Sequence, residues 1–255
     1  MNEECVLINQ TYESCTIITL NRPSKRNALN IDLMERLCET IEHVQRLSNQ
    51  RVLIFTGAGE AFCTGLDLLE AKDDTLEEKS SHLVGKLFKR IYECPLMTIA
   101  AINGPAIAGG MGLMSTCDLS IAHEKAVFSL PETRRGLVAA QIMPYLMRVI
   151  PRRCLHEMLY TGDFFSAQRA YECGWINRVV SNDPIEQALV YAEKVLKGAP
   201  NATKKAKQLI QRLDTLNLDN QLDLSLQWHR NLRQQNEFKE GIQAFLEKRP
   251  PVWDL

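Results

Sequence analysis

The sequence predicts an α/β fold with largely parallel strands, followed by a C-terminal stretch that is helical throughout. Three observations carry that expectation. Short apolar, β-prone runs alternate with glycine-bearing loops and with segments of helical periodicity, which is the order that strand-and-helix units produce. Beyond Pro184 the strand signals disappear, and four segments with helical spacing follow one another. A chain of 255 residues has the length for one large core with an appendage. We divide it into a core over residues 1–195 and a helical region over residues 196–255.

Taken in order, residues 5–9 and 16–20 are β-prone runs around a turn at 12–14, an opening hairpin. A polar loop over 21–27 leads to Asp32 with Glu35 three positions on, a capping-box pattern. Leu33, Leu37, Ile41, Val44 and Leu47 then recur at helical spacing. Residues 51–56 form the next strand, 72–81 a surface loop or ragged helix, and 83–92 a helix. The run 96–102 is short, continuous and preceded by Pro95, so it reads as a buried strand. It stops at Asn103-Gly104-Pro105. Gly109, Gly110 and Gly112 let the backbone turn sharply, and Met111, Leu113 and Met114 carry a new helix into the core. Strands at 119–122 and 126–129, helices at 141–150, 153–160 and 166–173, and a strand at 176–180 complete the core. The tail helices fall at 185–196, 202–213, 219–234 and 237–248. Leu222, Leu224, Leu226, Trp228 and Leu232 make that tail apolar enough to dock, either on a partner or on the chain's own core.

Composition narrows the function classes. A net charge of −1 and the lack of a basic stripe with interleaved aromatics argue against nucleic acid as a partner. The eight cysteines are far apart with no C-x-x-C pair, so they read as reduced, mostly buried thiols of a cytoplasmic protein. The start, Met1-Asn2-Glu3-Glu4, is acidic and has neither a secretory signal nor the arginine-rich character of a transit peptide. No apolar run approaches the roughly 20 residues of a membrane span, and the five histidines show no metal-binding spacing.

The glycine-rich turn after residue 102 admits three readings. One is close backbone packing. A second, a dinucleotide or P-loop fingerprint, fits poorly, because the glycines run G-G-x-G and no G-K-[ST] follows. The third is an oxyanion hole, in which first-turn amides without helical partners point at developing negative charge. That reading needs a second donor. Ala61-Phe62-Cys63-Thr64-Gly65-Leu66-Asp67 is another glycine-bearing loop, with Asp67 placed as a helix N-cap. Together the two loops offer a pair of convergent backbone donors.

Here the chain resembles the crotonase superfamily, the enoyl-CoA hydratases and isomerases, along nearly its whole length. The resemblance rests on L-N-R-P-S-K-R-N-A-L-N from Leu20, A-F-C-T-G-L-D from Ala61, N-G-P-A-I-A-G-G from Asn103, Cys117-Asp118, F-S-L-P-E-T-R-R-G-L from Phe128, L-Y-T-G-D-F-F-S-A-Q-R-A from Leu159 and G-W-I-N-R-V-V from Gly174. It implies a crotonase-like spiral of ββα units with a C-terminal all-helical trimerisation region, assembling as a homotrimer or hexamer. It implies an acyl-CoA thioester as substrate, with no cofactor beyond the coenzyme A the substrate carries and no metal. The amides of Leu66 and Gly109 would hold the thioester oxygen of the enolate, a donor of this kind being worth roughly 3 to 4 kcal/mol. Lys25 and Arg26 would lie near CoA phosphates, and Ala28 and Leu29 near adenine and pantetheine. Thr64, Gly65, Asp67, Leu68 and Gly110 would border the substrate, and Phe245 and Lys248 match positions that touch the nucleotide.

One departure bears on the reaction. Family hydratases commonly use two glutamates, one of them three positions after the oxyanion glycine; here that position is Gly112. The other glutamate is present as Glu132 in F-x-x-P-E. Beside Leu130, Pro131 and Met111 its charged form would be disfavoured, which suits proton transfer near neutral pH. A single carboxylate leaves two chemistries: hydration or dehydration of a 2-enoyl-CoA, which the local text favours, or movement of the double bond between C2 and C4. A catalytically silent acyl-CoA binder is the rival. A second departure is Val138-Ala139-Ala140-Gln141-Ile142-Met143, where relatives with simple acyl substrates have Pro-Gly-x-Gly-Gly. Arg134 or Arg135 would bind a distal carboxylate, or form an ordinary surface pair.

Overall fold

The computed structural model describes residues 4–253, so the acidic start read at residues 1–3 lies outside the described residues. The chain opens with strands β1 (Val6–Tyr12) and β2 (Cys15–Leu20), paired antiparallel as the hairpin pattern predicts. Helix α1 (Ile31–Gln45) buries Leu33, Met34, Leu37, Cys38, Ile41 and Val44. Its cap is Asn30, whose side chain accepts from the Leu33 amide at 3.1 Å; the Asp32–Glu35 pattern falls two residues too late, inside the first turn. Strand β3 (Val52–Gly57) is buried along its whole length. Helix α2 (Glu77–Tyr92) begins six residues before position 83, because its polar first turn faces water and leaves no apolar signature.

Strand β4 (Met97–Ile102) leads through the two-residue strand β5 (Ala106–Ile107) to helix α3 (Gly109–Ser115). Then come β6 (Leu119–His123), β7 (Val127–Ser129), α4 (Met143–Val149), α5 (Arg152–Thr161), β8 (Phe165–Ser166), α6 (Ala167–Glu172) and β9 (Arg178–Val180). The tail is α7 (Pro184–Leu196), α8 (Pro200–Leu213), α9 (Leu218–Leu232) and α10 (Asn236–Glu247), each close to its predicted span.

Two sheets form. The larger has the order β1-β2-β3-β4-β6-β9 and is parallel except for β1 against β2; the smaller is β5-β7-β8. The strands at 119–123 and 127–129, adjacent in sequence, therefore belong to different sheets. Because strand side chains alternate faces, Ile18, Leu20, Leu53, Phe55, Ala100 and Ile102 pack into the main core, while Ile17, Val52, Ile54, Ile99 and Ile121 pack on the other face with Ala188 and Ala192 of α7. Burial on both faces is why these strands read as unbroken apolar runs rather than alternating ones.

Polar anchors join the tail to the core. The Arg51 guanidinium donates to the carbonyls of Leu196 and Gly198 at 2.9 and 2.6 Å, satisfying the end of α7. Lys207 of α8, buried, donates to Asp118 at 2.7 Å and to the Leu96 carbonyl at 3.0 Å. By contrast, α9 buries no residue, and Leu222 and Leu226 are exposed.

Candidate active site

The first wall of the site is the loop after β2. Arg26 and Asn27 both take positive φ, +50° and +56°. Asn27 sustains that conformation because its buried side chain accepts from the Arg22 amide at 2.9 Å and donates to the Ala58 and Ala61 carbonyls at 3.0 and 2.7 Å. Lys25 and Arg26 are thereby held on the cavity wall.

Leu29 then bridges to Leu66 as an isolated parallel pair, its amide donating to the Gly65 carbonyl at 2.7 Å and its carbonyl accepting from Asp67 at 2.9 Å. In a parallel bridge those two bonds come from the residues flanking Leu66, so the N–H of Leu66 itself faces away from Leu29. The same loop is tied to β5: Cys63 donates to the Pro105 carbonyl at 3.2 Å and accepts from Ile107 at 2.9 Å. The chain leaves β5 through Ala108, whose φ of 51° and ψ of −116° are costly for a residue with a Cβ. The Ala108 amide is fixed to the Ser129 carbonyl at 3.0 Å, and the next amide, Gly109, opens α3.

The two loops meet at glycines. Gly65 has φ +90°, and a Cβ placed there would stand 3.0 Å from the Gly109 nitrogen; one on Gly109 would stand 3.2 Å from the Gly65 Cα. Among the described residues neither the Leu66 nor the Gly109 N–H has an acceptor. Leu66 and Gly109, from loops in contact, both line one cavity of about 1270 Å³.

Glu132 borders the same cavity. It sits on a short 3-10 turn, Pro131–Arg135, closed by Gly136 at φ +72°. That turn is anchored from behind, Thr133 Oγ1 donating to the Leu159 carbonyl at 2.8 Å and Arg134 pairing with Asp163 at 2.5 Å. The carboxylate oxygen Oε2 is buried with no hydrogen-bond partner. Burial pushes the Glu132 carboxyl above its ordinary value, with its own backbone amide and the Arg135 charge pulling the other way. Arg135 also lines the cavity and, among the described residues, makes no hydrogen bond or ion pair.

The remaining sequence-predicted positions divide. Ala28, Leu29, Thr64, Asp67 and Leu68 line the cavity with Lys25 and Arg26. Asp67 accepts from the Leu69 amide at 3.2 Å and pairs with Arg22 at 3.0 Å, so its carboxylate is already engaged. Gly65 and Gly110 do not line it; they are the contact itself, a Cβ on Gly110 falling 2.0 Å from the Cys63 carbonyl oxygen. Phe245 and Lys248 lie at the end of α10 and are not among the residues that line this cavity, with Phe245 78% exposed. The sequence flags Ile142 only as part of the 138–143 departure, and Phe88 not at all. A Cβ on Gly112 would stand 2.3 Å from Ile142 Cγ2 and 3.0 Å from Phe88 Cζ, and both side chains line the cavity. The two departures in sequence therefore meet in the structure: Ile142 of the second packs over Gly112 of the first. Among the described residues no group of three or more His, Cys, Asp or Glu is placed to hold a metal ion, and no helix is long and apolar enough to cross a membrane.

A pair of unengaged amides and one partly buried acid on the wall of one cavity is an arrangement that can hold charge on a carbonyl oxygen while a proton moves. The pattern of the enoyl-CoA hydratase/isomerase family matches residues 10–255, and the chain belongs to that family, within the crotonase superfamily. It is 34% identical to a putative enoyl-CoA hydratase of Thermus thermophilus, over 92% of this chain and 95% of that one. It is 29% identical to the mitochondrial Delta(3,5)-Delta(2,4)-dienoyl-CoA isomerase of Rattus norvegicus, over 97% and 81% of the two chains. The crystal structure of an enoyl-CoA hydratase from Bacillus anthracis superposes with a TM-score of 0.93 at 32% identity, covering 98% of each chain.

Proposed function

We propose that this protein is an enoyl-CoA hydratase or dehydratase that works with a single carboxylate. The observation that carries the reading is that Leu66 and Gly109, whose amides have no acceptor among the described residues, line the same cavity as Glu132, whose buried Oε2 has no hydrogen-bond partner. The thioester oxygen of a 2-enoyl-CoA accepts from both amides. Addition at C3 drives negative charge onto that oxygen, and the donors stabilise the enolate more than the ground state, which is what lowers the barrier. Glu132 takes a proton from water as the water adds at C3 and returns a proton to C2 on the same face; the reverse sequence is dehydration. Its raised pKa supports the role, since a carboxyl that holds its proton more tightly gives and takes it more readily near neutral pH.

Lys25 and Arg26 bind CoA phosphates in this reading, Ala28 and Leu29 the adenine and pantetheine, and no further cofactor takes part. Thr64, Asp67 and Leu68 border the bound thioester. Phe245 and Lys248 meet the nucleotide from the tail, which self-associates as a homotrimer or hexamer through the exposed Leu222, Leu226 and Leu246. The protein works in the cytoplasm. The free Arg135, beside an Arg134 already held by Asp163, favours acyl chains that end in a carboxylate.

A second reading, 3,2-enoyl-CoA isomerisation, is favoured by the apolar wall of Ile142 and Phe88 at Gly112, which leaves no carboxylate at that position to activate water, the Asp67 carboxylate being held by Arg22. Glu132 would then carry one proton from C2 to C4. The deciding experiment follows hydration of straight, branched and carboxylated 2-enoyl-CoA thioesters together with deuterium exchange at C2 and C4. Glu132→Gln is expected to lower turnover by roughly 10²- to 10⁴-fold with CoA binding retained. Equal rates in variant and wild type would remove Glu132 from the chemistry, exchange at C4 without hydration would select the isomerase, and tight thioester binding with no exchange at all would leave only a binding protein.

A further inference from the structure

Of the eight cysteines, six are buried, and burial pushes the Cys63 thiol up to about 12 and those of Cys5 and Cys15 up to about 11. The other two, Cys154 and Cys173, are half-buried and meet each other. Cys154 stands in the first turn of α5 and Cys173 at the C-terminal cap of α6, nineteen positions apart, and their sulfurs lie 3.0 Å from one another, Cys154 donating. A disulfide bond is about 2.05 Å long, so about 1 Å of closure separates contact from a bond.

We propose that Cys154 and Cys173 are a thiol–disulfide site that forms a reversible intrachain bridge. The segment it closes includes Gly162 and Phe164, which line the cavity, and Asp163, which holds Arg134 beside Glu132. The bridge thus fastens the support of the acid-bearing turn, whose Thr133 already rests on the Leu159 carbonyl of α5. In a reducing compartment such a pair is a sensor rather than a permanent staple. The step balances with a small disulfide such as oxidised glutathione as oxidant. One cysteine thiolate attacks a glutathione sulfur and expels one glutathione. The second cysteine attacks the mixed disulfide, forms the Cys154–Cys173 bond and expels the other. Two electrons pass from the cysteine pair to the oxidant, and the two cysteine protons end on the released thiols.

The test incubates the full chain with oxidised glutathione and, separately, with dithiothreitol, and reads intact mass, non-reduced peptide maps and the thermal midpoint. The expected result is a mass lower by two hydrogens, a map joining the Cys154 and Cys173 peptides, a higher midpoint in the oxidised form, and reversal by dithiothreitol. Cys154→Ser and Cys173→Ser should each instead retain one glutathione on the remaining partner. Persistent glutathione on either cysteine of the wild-type chain, no reaction at either, or a bridge between other cysteines would overturn the assignment. The wild-type map decides this even if a variant fails to fold.

Discussion

The two sides of the cavity are built from different material. On the amide side, loops 63–66 and 105–110 touch through backbone, and a Cβ on Gly65, Gly109 or Gly110 would stand 2.0 to 3.2 Å from its nearest neighbour. On the acid side, Glu132 rides a five-residue 3-10 turn followed by exposed Leu137 and Val138, 59% and 68% accessible, before Ile142 turns inward. Charge stabilisation demands two amides at fixed positions, and backbone packed against backbone has no rotamers to lose. Acyl selection demands only a wall of suitable shape, which side chains supply and can vary. One side therefore has little room for an added side chain, and the other is where the shape of the cavity can vary.

The largest effect on activity that would sharpen this contrast is expected from Gly110→Ala. Its Cβ would fall 2.0 Å from the Cys63 carbonyl oxygen and 2.8 Å from its carbon, atoms that cannot rotate aside. Overpacking of this kind costs roughly 1 to 3 kcal/mol, occasionally more, and here it also parts the loops that bring the two amides together. Denaturant midpoints should drop toward the upper end of that range and thioester-dependent deuterium exchange should vanish. Leu137→Ala and Val138→Ala, as exposed changes, should move stability by no more than about 0.5 kcal/mol while shifting acyl preference. A Gly110→Ala protein with wild-type exchange, or a Val138→Ala protein that unfolds, would break the contrast.

The same division explains what could be read from the amino-acid order. Strands β2, β3 and β4 were legible because burial on both faces leaves unbroken apolar runs, and the four tail helices because each keeps its apolar spacing. Strands β5 and β8, two residues each, are too short for any period to appear. Asn30 was passed over as a cap because Asp32 and Glu35 satisfy the same pattern two residues later. In the site, glycines marked the amide loops since excluded volume must be written into the sequence as a missing side chain. Nothing of the sort announces Ile142 over Gly112, a tertiary contact thirty residues apart in the chain, nor the meeting of Cys154 with Cys173.

That contact between Gly112 and Ile142 provides an intermediate test, because it lies where the rigid side meets the variable one. Gly112→Ala should cost about 1 to 3 kcal/mol by overpacking, and Ile142→Ala about 2 to 5 kcal/mol by leaving a cavity. The double variant should cost less than the sum, since the new methyl enters space that the isoleucine vacates. A favourable coupling of about 1 to 2 kcal/mol in denaturant midpoints is expected. Strict additivity, within about 0.5 kcal/mol, would show that Ile142 does not pack over Gly112, and would reopen that wall to a water-activating role.

The smallest effect concerns the acid itself. Burial holds the Glu132 carboxyl above its ordinary 4.5, so the folded chain keeps this proton at pH values where the unfolded chain has released it. Stability therefore declines as pH rises from the ordinary value to the native one and stays lower above it, because the native state binds more protons in that window. Carboxylates such as Glu240, pulled down to about 2 by its bonds to Arg249, act in the opposite sense: their contribution is present above the ordinary value and fades as pH falls toward the native one. A single pH–stability curve would mix the two, whereas the difference between Glu132→Gln and wild type isolates one group. The variant's advantage in thermal midpoint should be least near pH 4, grow as pH rises through the native pKa of Glu132, and then level off. A difference that is flat across that range, or largest in acid, would mean that the carboxylate is already solvated and that the acid side of the cavity does not tune its base by burial.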